Sequence, residues 1–283
     1  MLGPEHGHPI IMLHGLVTGT ALPPDAVNAL YRNDLRLICP WRPGFSRSSA
    51  NSNPFDLLAD AHADDIGWLM NRLGLKQAVL AGHFSGALYA AAAAQKLGAR
   101  VAGIVAISGT VPIRDRRQLD DISLWQKMFA YSARYFPAAL PILARGALER
   151  MANGRIDKLL AGLYAKPHQD AACVAQPEIR DMLMHSFENT FIQGTKAYEH
   201  DARLTAQDWS AWLNAVNAPV LYIHGESDPV TAFDQVTDLP GFHRHVRVEK
   251  IADAGQLIAF SKPEEVFARV ASFARSCQTA AVA

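Results

Sequence analysis

The stretch around residue 84 places an apolar run, a glycine-flanked turn and an alanine-rich run in immediate succession. Ala78–Ala81 predicts a strand buried on both faces, and Ala87–Leu97 predicts a helix. Gly82 and Gly86 flank the turn, and glycine at such positions lets a strand and a helix approach each other closely. The midpoint between the two glycines is Phe84. This unit predicts a parallel α/β sheet around it.

Further apolar runs alternate with helical patterns toward both ends of the chain. Alternation at this spacing predicts right-handed βαβ crossovers, and therefore a mostly parallel sheet with helices on both faces. We expect the last helix to open with a capping box formed by Ser261 and Glu264. The other runs predicted as strands are Pro9–Leu13, Leu35–Cys39, Val101–Ile107, Val220–Ile223 and His245–Ile251.

The middle of the chain lacks this alternation. From Ile113 to about Asn217 helical runs are interrupted by prolines, and no buried strand is indicated. We therefore predict an α/β core formed by residues 1–112 and 218–283, with a helical insertion at residues 113–217.

Composition limits the classes of partner. The chain of 283 residues has 27 basic and 27 acidic side chains, so no net field attracts nucleic acid or anionic lipid. The three cysteines are scattered and have no metal-ligand spacing, which favours a reducing compartment and argues against a disulfide framework. No targeting segment or membrane-spanning run is indicated. We expect a cytoplasmic protein with no metal or cofactor.

Five short motifs stand at the predicted strand ends, in a fixed order along the chain. Together they resemble the α/β-hydrolase superfamily, in its serine-hydrolase form with a helical cap. The resemblance implies that the insertion, hereafter the cap segment (113–217), follows the sixth family strand. It also implies that the first two family strands are absent, since only about ten residues precede the first predicted strand. The motifs are His14–Gly15, Arg42–Ser48, Gly82–Gly86, His224–Asp228 and Asp253–Gln256.

The same resemblance assigns the positions of a catalytic triad. The nucleophile position is Phe84, the acid is Asp228 and the histidine position is Gln256. Phenylalanine has no nucleophilic atom and glutamine does not accept a proton near neutral pH, so the triad is degenerate. The backbone amides of Leu16 and Ser85 match the donors of the oxyanion hole, which side-chain changes leave in place.

A shifted active site remains an alternative. Ser85 could act as nucleophile if the turn moved by one residue, but His83 and Ala87 would then take the flanking positions that need small residues. The missing base could be His83, His185 or His224. None of these is favoured. His83 and His224 lie near strand ends, where a hydrogen-bonded core histidine is more common, and His185 lies in the insertion with no spacing that marks it as a base.

The cap segment is expected to roof the site and select its ligand. It is rich in aromatic residues, which predicts an apolar cavity beneath it. Asp201 stands where the cap returns to the core in this family. Its carboxylate could face the cavity, but a charge that anchors the cap is the favoured interpretation.

Three hypotheses about function follow. The first is a non-catalytic, pseudoenzyme hydrolase fold whose capped pocket binds a small apolar or ester-like ligand in a regulatory role. The second is an active ester or amide hydrolase that uses Ser85 with an unidentified base. The third is an interaction scaffold whose pocket is filled by Phe84. Family dehalogenases and epoxide hydrolases carry an aspartate where this chain has Phe84, so the residue argues against their chemistry. The oligomeric state is left open.

Overall fold

A single parallel sheet of six strands forms the centre of the protein. The computed structural model describes residues 1–120, 122, 124–153, 156–166 and 168–280. The spatial order of the strands is β2-β1-β3-β4-β5-β6, and every neighbouring pair runs parallel. The strands are β1 (His8–Leu13), β2 (Leu35–Ile38), β3 (Ala78–His83), β4 (Val101–Ile107), β5 (Val220–Gly225) and β6 (Val246–Ile251). This confirms the predicted mostly parallel sheet.

Helices connect the strands and also form the long insertion between β4 and β5. The helices are α1 (Pro24–Arg32), α2 (Leu58–Arg72), α3 (Gly86–Leu97), α4 (Leu124–Tyr135), α5 (Leu140–Ala152), α6 (Ile156–Leu163), α7 (His168–Val174), α8 (Pro177–Phe191), α9 (Lys196–Thr205), α10 (Ser210–Ala215), α11 (Phe233–Thr237), α12 (Leu239–Phe242), α13 (Ile258–Ser261) and α14 (Pro263–Ala280).

The sheet is covered on both faces. Helices α1 and α14 pack against one another on one face, and α2, α3 and α10 pack together on the other. The alanines of α3 are buried along most of the helix, so α3 lies close to the sheet. On α14, Val266, Phe267, Val270 and Phe273 are buried as the periodicity of the sequence predicts.

Helices α4 to α10 lie between β4 and β5, where the cap is expected after the sixth family strand. Not all of them stand apart from the core. Trp209 and Leu213, in and beside α10, are buried in the cluster under α3. The division into 1–112, 113–217 and 218–283 stays a prediction, and α10 is a core-packing helix within the predicted insertion.

Two local predictions differ from the structure. Ser261 ends α13 rather than capping α14, because its hydroxyl donates to the carbonyl of Leu257 at 3.1 Å, one turn back. The predicted capping box is therefore wrong. Helix α1 follows Pro23 and was not predicted from the sequence. Two consecutive prolines are more typical of a turn than of the start of a helix.

The start of the sheet agrees with the expected absence of two strands. Within the described residues, the pairing ahead of β1 is an isolated antiparallel bridge between Leu2 and Leu37. Among the helices described, none has both the length and the apolar character needed to cross a membrane.

Candidate active site at the glycine-flanked turn

Phe84 occupies the tip of the turn between β3 and α3 with a left-handed backbone, φ 45°. Its amide donates to the Ile107 carbonyl at 3.3 Å. Its carbonyl accepts from the amides of Ala87 and Thr110, each at 3.1 Å. A non-glycine residue in this conformation costs about 1 to 3 kcal/mol, so the surrounding bonds must hold the turn in place. The strained turn that the glycine spacing predicts is therefore present, with phenylalanine at its tip.

The two flanking glycines leave no room for a side chain. A Cβ atom on Gly82 would lie 2.3 Å from the carbonyl carbon of Gly86. A Cβ atom on Gly86 would lie 2.1 Å from the carbonyl oxygen of Leu13. Both contacts are with backbone atoms, which cannot swing away. The strand and the helix therefore approach as closely as the sequence pattern requires.

A cavity of about 190 Å³ lies between this turn and the cap segment. Phe84 is only partly buried and forms part of the wall, leaving the space above it open. Aromatic side chains from the cap segment line the opposite wall together with aliphatic ones, in agreement with the aromatic composition of the insertion. These are Phe129, Tyr164, Phe187, Phe191 and Tyr198. The cavity therefore provides a largely apolar chamber with Phe84 on its floor.

Asp228, at the predicted acid position, is buried and already engaged. Its Oδ1 accepts the backbone amides of Val230 at 2.8 Å and Thr231 at 3.0 Å. Its Oδ2 lies 3.2 Å from Nε2 of His224, and both side chains are fully buried. His224 Nε2 also lies 2.9 Å from the Thr231 carbonyl. Oδ2 thus lies beside a histidine of its own strand end but has no hydrogen-bond partner among the described residues.

The loop that carries Gln256 packs directly on the loop that carries Asp228. The amide of Ser227 donates to the Ala254 carbonyl at 3.0 Å. A Cβ atom on Gly225 would lie 2.1 Å from the Gly255 carbonyl oxygen, so the two loops touch through their backbones. Gln256 lines the cavity. Within the described residues, no hydrogen bond joins its side chain to Asp228.

A carboxylate that the sequence did not single out fixes this second loop. Asp170 on α7 is buried, with Oδ2 2.8 Å from the Gln256 amide and Oδ1 3.1 Å from the Leu257 amide. Burial raises the pKa of the Asp170 carboxyl to about 6, and the charge of Asp228 adds to that shift. No local pattern marks Asp170, because its partners lie in a distant part of the chain.

Ser85, His185 and His224, the candidates for a shifted active site, do not come together at the cavity. Ser85 is fully buried, and its hydroxyl lies 3.5 Å from Nη2 of Arg42 rather than in the cavity wall. The side chain of His185 is 77% exposed on α8, where Nδ1 lies 3.1 Å from Glu188. His224 is fully buried, with Nε2 2.9 Å from the Thr231 carbonyl. Neither His185 nor His224 contributes to the cavity wall.

His83 is the candidate base that does line the cavity. Its Nδ1 lies 2.8 Å from the Thr18 hydroxyl. Burial lowers the pKa of His83 to about 4, although the Gln256 backbone and the charge of Asp228 oppose the shift. The imidazole is therefore neutral at pH 7 and is a weak base.

Leu16 and Ser85, whose amides the family resemblance assigns to an oxyanion hole, differ in their position relative to the cavity. Leu16 lines the cavity, and Ser85 stands at the start of α3 beside Phe84. Within the part of the chain that is described, neither amide donates a hydrogen bond to another residue. The Leu16 amide thus lies in a residue of the cavity wall, whereas Ser85 is fully buried and outside that wall. A group of three or more potential metal ligands does not occur among the described residues.

Comparison with known proteins decides the family. The model of the alpha/beta hydrolase fold family matches residues 8–263. This chain is a member of the α/β-hydrolase fold family. Because the match runs from β1 into α14, it covers the turn and both loops described above.

Among curated α/β hydrolases, the chain is 24% identical to AB hydrolase superfamily protein YisY of Bacillus subtilis, over 96% of this chain and 93% of that protein. It is 25% identical to a haloalkane dehalogenase of Mycobacterium marinum, over 81% of this chain and 71% of that protein. These relatives place the chain among hydrolase homologues.

Solved structures of α/β hydrolases agree in fold. A mutant of an epoxide hydrolase from Bacillus megaterium superposes with a TM-score of 0.70 at 18% identity, covering 95% of this chain and 93% of that one. A thermophilic esterase from Thermogutta terrifontis gives a TM-score of 0.60 at 21% identity, covering 96% and 90%. At such identities the likeness concerns the fold alone.

Proposed function

We propose that this protein uses the capped cavity of an α/β hydrolase to bind a small apolar or ester-like ligand, without serine-hydrolase turnover, in a regulatory role. The observation that carries the proposal is the position of Phe84. It takes the left-handed tip of the glycine-flanked turn, where the family resemblance locates the nucleophile. It nevertheless leaves a cavity of about 190 Å³ open above it.

The chemistry of the replaced residues supports the absence of turnover. Acyl transfer needs an atom at the turn that attacks carbon and a base that removes its proton. Phe84 supplies no such atom, and the amide of Gln256 is not a base. In the protease precedent, a site without its triad retains only about 10³ to 10⁴-fold acceleration over water. Any residual ester hydrolysis should therefore be slow.

The reactions named for the relatives are unfavourable for the same reason. Family dehalogenases and epoxide hydrolases attack with an aspartate at the turn, and Phe84 has no carboxylate. Hydrolysis through Ser85 is also disfavoured, since its hydroxyl is buried against Arg42. The scaffold hypothesis is less favourable than ligand binding because Phe84 does not fill the chamber.

The cavity wall suggests the chemistry of the ligand. Most of the wall is aromatic or aliphatic, which favours an apolar body. The wall also carries polar side chains, and two of them, Thr18 and His83, lie 2.8 Å apart beside the turn. With the amide of Leu16, which also lines the cavity, these groups suit one carbonyl or ester oxygen. We therefore expect a compact apolar molecule with a single polar end.

Turnover is tested with p-nitrophenyl acetate and p-nitrophenyl butyrate, and with bromide release from 1-bromohexane. The unaltered protein and the Ser85→Ala variant should both react with these substrates no faster than buffer alone. Robust turnover by the unaltered protein would overturn the proposal. Its loss in Ser85→Ala would then support the second hypothesis. The double variant Phe84→Ser with Gln256→His shows whether the replaced positions can restore activity.

Binding is tested separately by the shift in melting temperature with methyl hexanoate. A ligand that binds only the native state raises stability in proportion to its occupancy. Ala202→Leu narrows the cavity from α9, so it should abolish the shift. Ala99→Leu makes the same substitution on the exposed surface and should leave the shift unchanged. A shift of equal size in both variants would show that the ester does not occupy the cavity.

A further inference from the structure

The side-chain amide of Gln256 lies in the wall of the capped cavity without a hydrogen-bond partner. Gln256 lines that cavity and keeps 7% of its surface exposed. Among the described residues, neither Oε1 nor Nε2 makes a hydrogen bond, and both atoms retain accessible surface. The amide therefore presents one acceptor and one donor group to a molecule in the cavity.

The backbone of Gln256 is fixed from two sides. Its amide donates to Oδ2 of Asp170 at 2.8 Å, which ties it to α7. Two residues earlier, the Ala254 carbonyl accepts the amide of Ser227 at 3.0 Å, which ties the same loop to the end of β5. The side chain of Gln256 therefore starts from a defined point of the wall, and a ligand does not have to order this loop.

Other polar side chains of the wall already bond within the protein. The Thr205 hydroxyl donates to a carbonyl one turn back in α9 at 2.8 Å. The amide of Gln118 accepts two backbone amides and donates to a carbonyl of its own loop. Nε2 of Gln235 donates to the Gln118 carbonyl at 2.9 Å. In contrast to these groups, the amide of Gln256 is free to bind a ligand.

The wall carries no charged side chain among the residues that the structure describes. Asp, Glu, Lys and Arg are absent from that lining. His83 is neutral at pH 7, because burial lowers its pKa to about 4. An ionised ligand would lose its hydration here without gaining a counter-charge. The cavity therefore favours an uncharged polar group beside Gln256.

We propose that the ligand of the capped cavity is an uncharged carboxamide with an apolar chain. Its carbonyl oxygen accepts from Nε2 of Gln256, and its N–H donates to Oε1 of the same side chain. This inference rests on the proposed function, since it names the ligand class of the same cavity. An ester or ketone satisfies only Nε2 and leaves Oε1 unpaired. A site that bonds both groups of a ligand discriminates against an analogue that lacks one.

The test compares hexanamide with 2-heptanone, which has a methyl group in place of the amide NH2 and the same carbonyl and chain. Calorimetric titration of the whole protein should show hexanamide binding about tenfold more tightly. Gln256→Leu should weaken hexanamide by about tenfold and leave 2-heptanone nearly unchanged. Gln77→Leu makes the same substitution on the exposed surface and should keep the preference. Sodium hexanoate should bind more weakly than hexanamide.

The outcomes separate this inference from the proposed function. Equal affinity for hexanamide and 2-heptanone, with both lost in Ala202→Leu, would overturn the carboxamide assignment and leave ligand binding in the cavity intact. An equal loss of both ligands in Gln256→Leu would do the same, because the side chain would then act by shape alone. Tighter binding of hexanoate than of hexanamide would also overturn the assignment. Absence of binding by all three compounds, or binding that Ala202→Leu leaves unchanged, would overturn both proposals.

Discussion

Asp170 accepts the backbone amide of Gln256 through Oδ2 at 2.8 Å, and this bond joins the cap segment to the loop after β6. The neighbouring amide of Leu257 binds the other oxygen of the same carboxylate. The position of residue 256 relative to the cavity is therefore set by α7 as well as by the core. Any ligand contact with Gln256 depends on this buried carboxylate.

The raised pKa of Asp170 gives a pH dependence to stability. Its pKa is about 6 in the folded protein against an ordinary value of 3.8, so the native state binds more protons between these values. The contribution of Asp170 to the free energy of unfolding should therefore fall as pH rises from about 4 to 6. Urea unfolding across this range should show a decline that Asp170→Asn removes. Parallel curves for both proteins would contradict the assignment.

The left-handed conformation of Phe84 predicts an unusual preference for glycine. Phe84→Gly and Phe84→Ala remove the same ring, but only alanine keeps a Cβ atom at φ 45°. The glycine variant should be more stable by about 1 kcal/mol, since a left-handed residue with a Cβ costs about that much. In α2, Ala61→Gly should instead lower stability by about 1 kcal/mol. Denaturant unfolding measures both, and identical stability of the two Phe84 variants would contradict the turn geometry.

The ion pair between Arg42 and Asp201 predicts a large cost for losing the carboxylate. Both side chains are almost completely buried, and Arg42 also donates to the carbonyls of His14 and Gly15. Asp201→Asn leaves an unpaired buried charge and should lower the free energy of unfolding by about 3 to 5 kcal/mol.

An exposed pair provides the comparison for Asp201. Lys250 and Glu226 are 2.6 Å apart and both are about half exposed. Glu226→Gln should cost less than about 1 kcal/mol. Equal losses in the free energy of unfolding for Asp201→Asn and Glu226→Gln, measured in the same urea series, would contradict a buried ion pair between Arg42 and Asp201.

The lowered pKa of His83 predicts a histidine that does not titrate near neutral pH. With a pKa of about 4 caused mainly by burial, the imidazole should show no change in its carbon chemical shifts between pH 7.5 and 5.5. The His83→Gln variant assigns the signal in the NMR spectrum. A midpoint near the ordinary value of 6.5 would mean that water reaches the ring and that His83 can act as a base in the cavity.

The features that sequence could predict are those encoded locally. The turn at Phe84 follows from glycine spacing, and the parallel sheet follows from apolar runs separated by helical patterns. The favoured role of Asp201 as an anchor agrees with its burial against Arg42. A single aspartate in a helical region carries no sign of its partner, so the link from Asp170 to Gln256 required the folded chain.

The proximity of Asp228 to His224 could be predicted only in part. The sequence identifies His224 as a histidine at a strand end, which is commonly hydrogen-bonded. The four-residue separation of the pair does not reveal that the loop turns back to bring the carboxylate within 3.2 Å. The capping box at Ser261 was wrong because a hydroxyl can also bond one turn back, and sequence does not distinguish the two partners.

The close contacts of Gly82 and Gly86 also bear on evolution. Neither glycine tolerates a side chain, whereas Phe84 between them is only partly buried and lines the cavity. Phenylalanine and serine codons can differ by a single base, and so can those of glutamine and histidine. A gene for this protein therefore lies few base changes from one that encodes serine at position 84 and histidine at position 256. The turn thus keeps the left-handed backbone that a nucleophile at position 84 would need, with phenylalanine in its place.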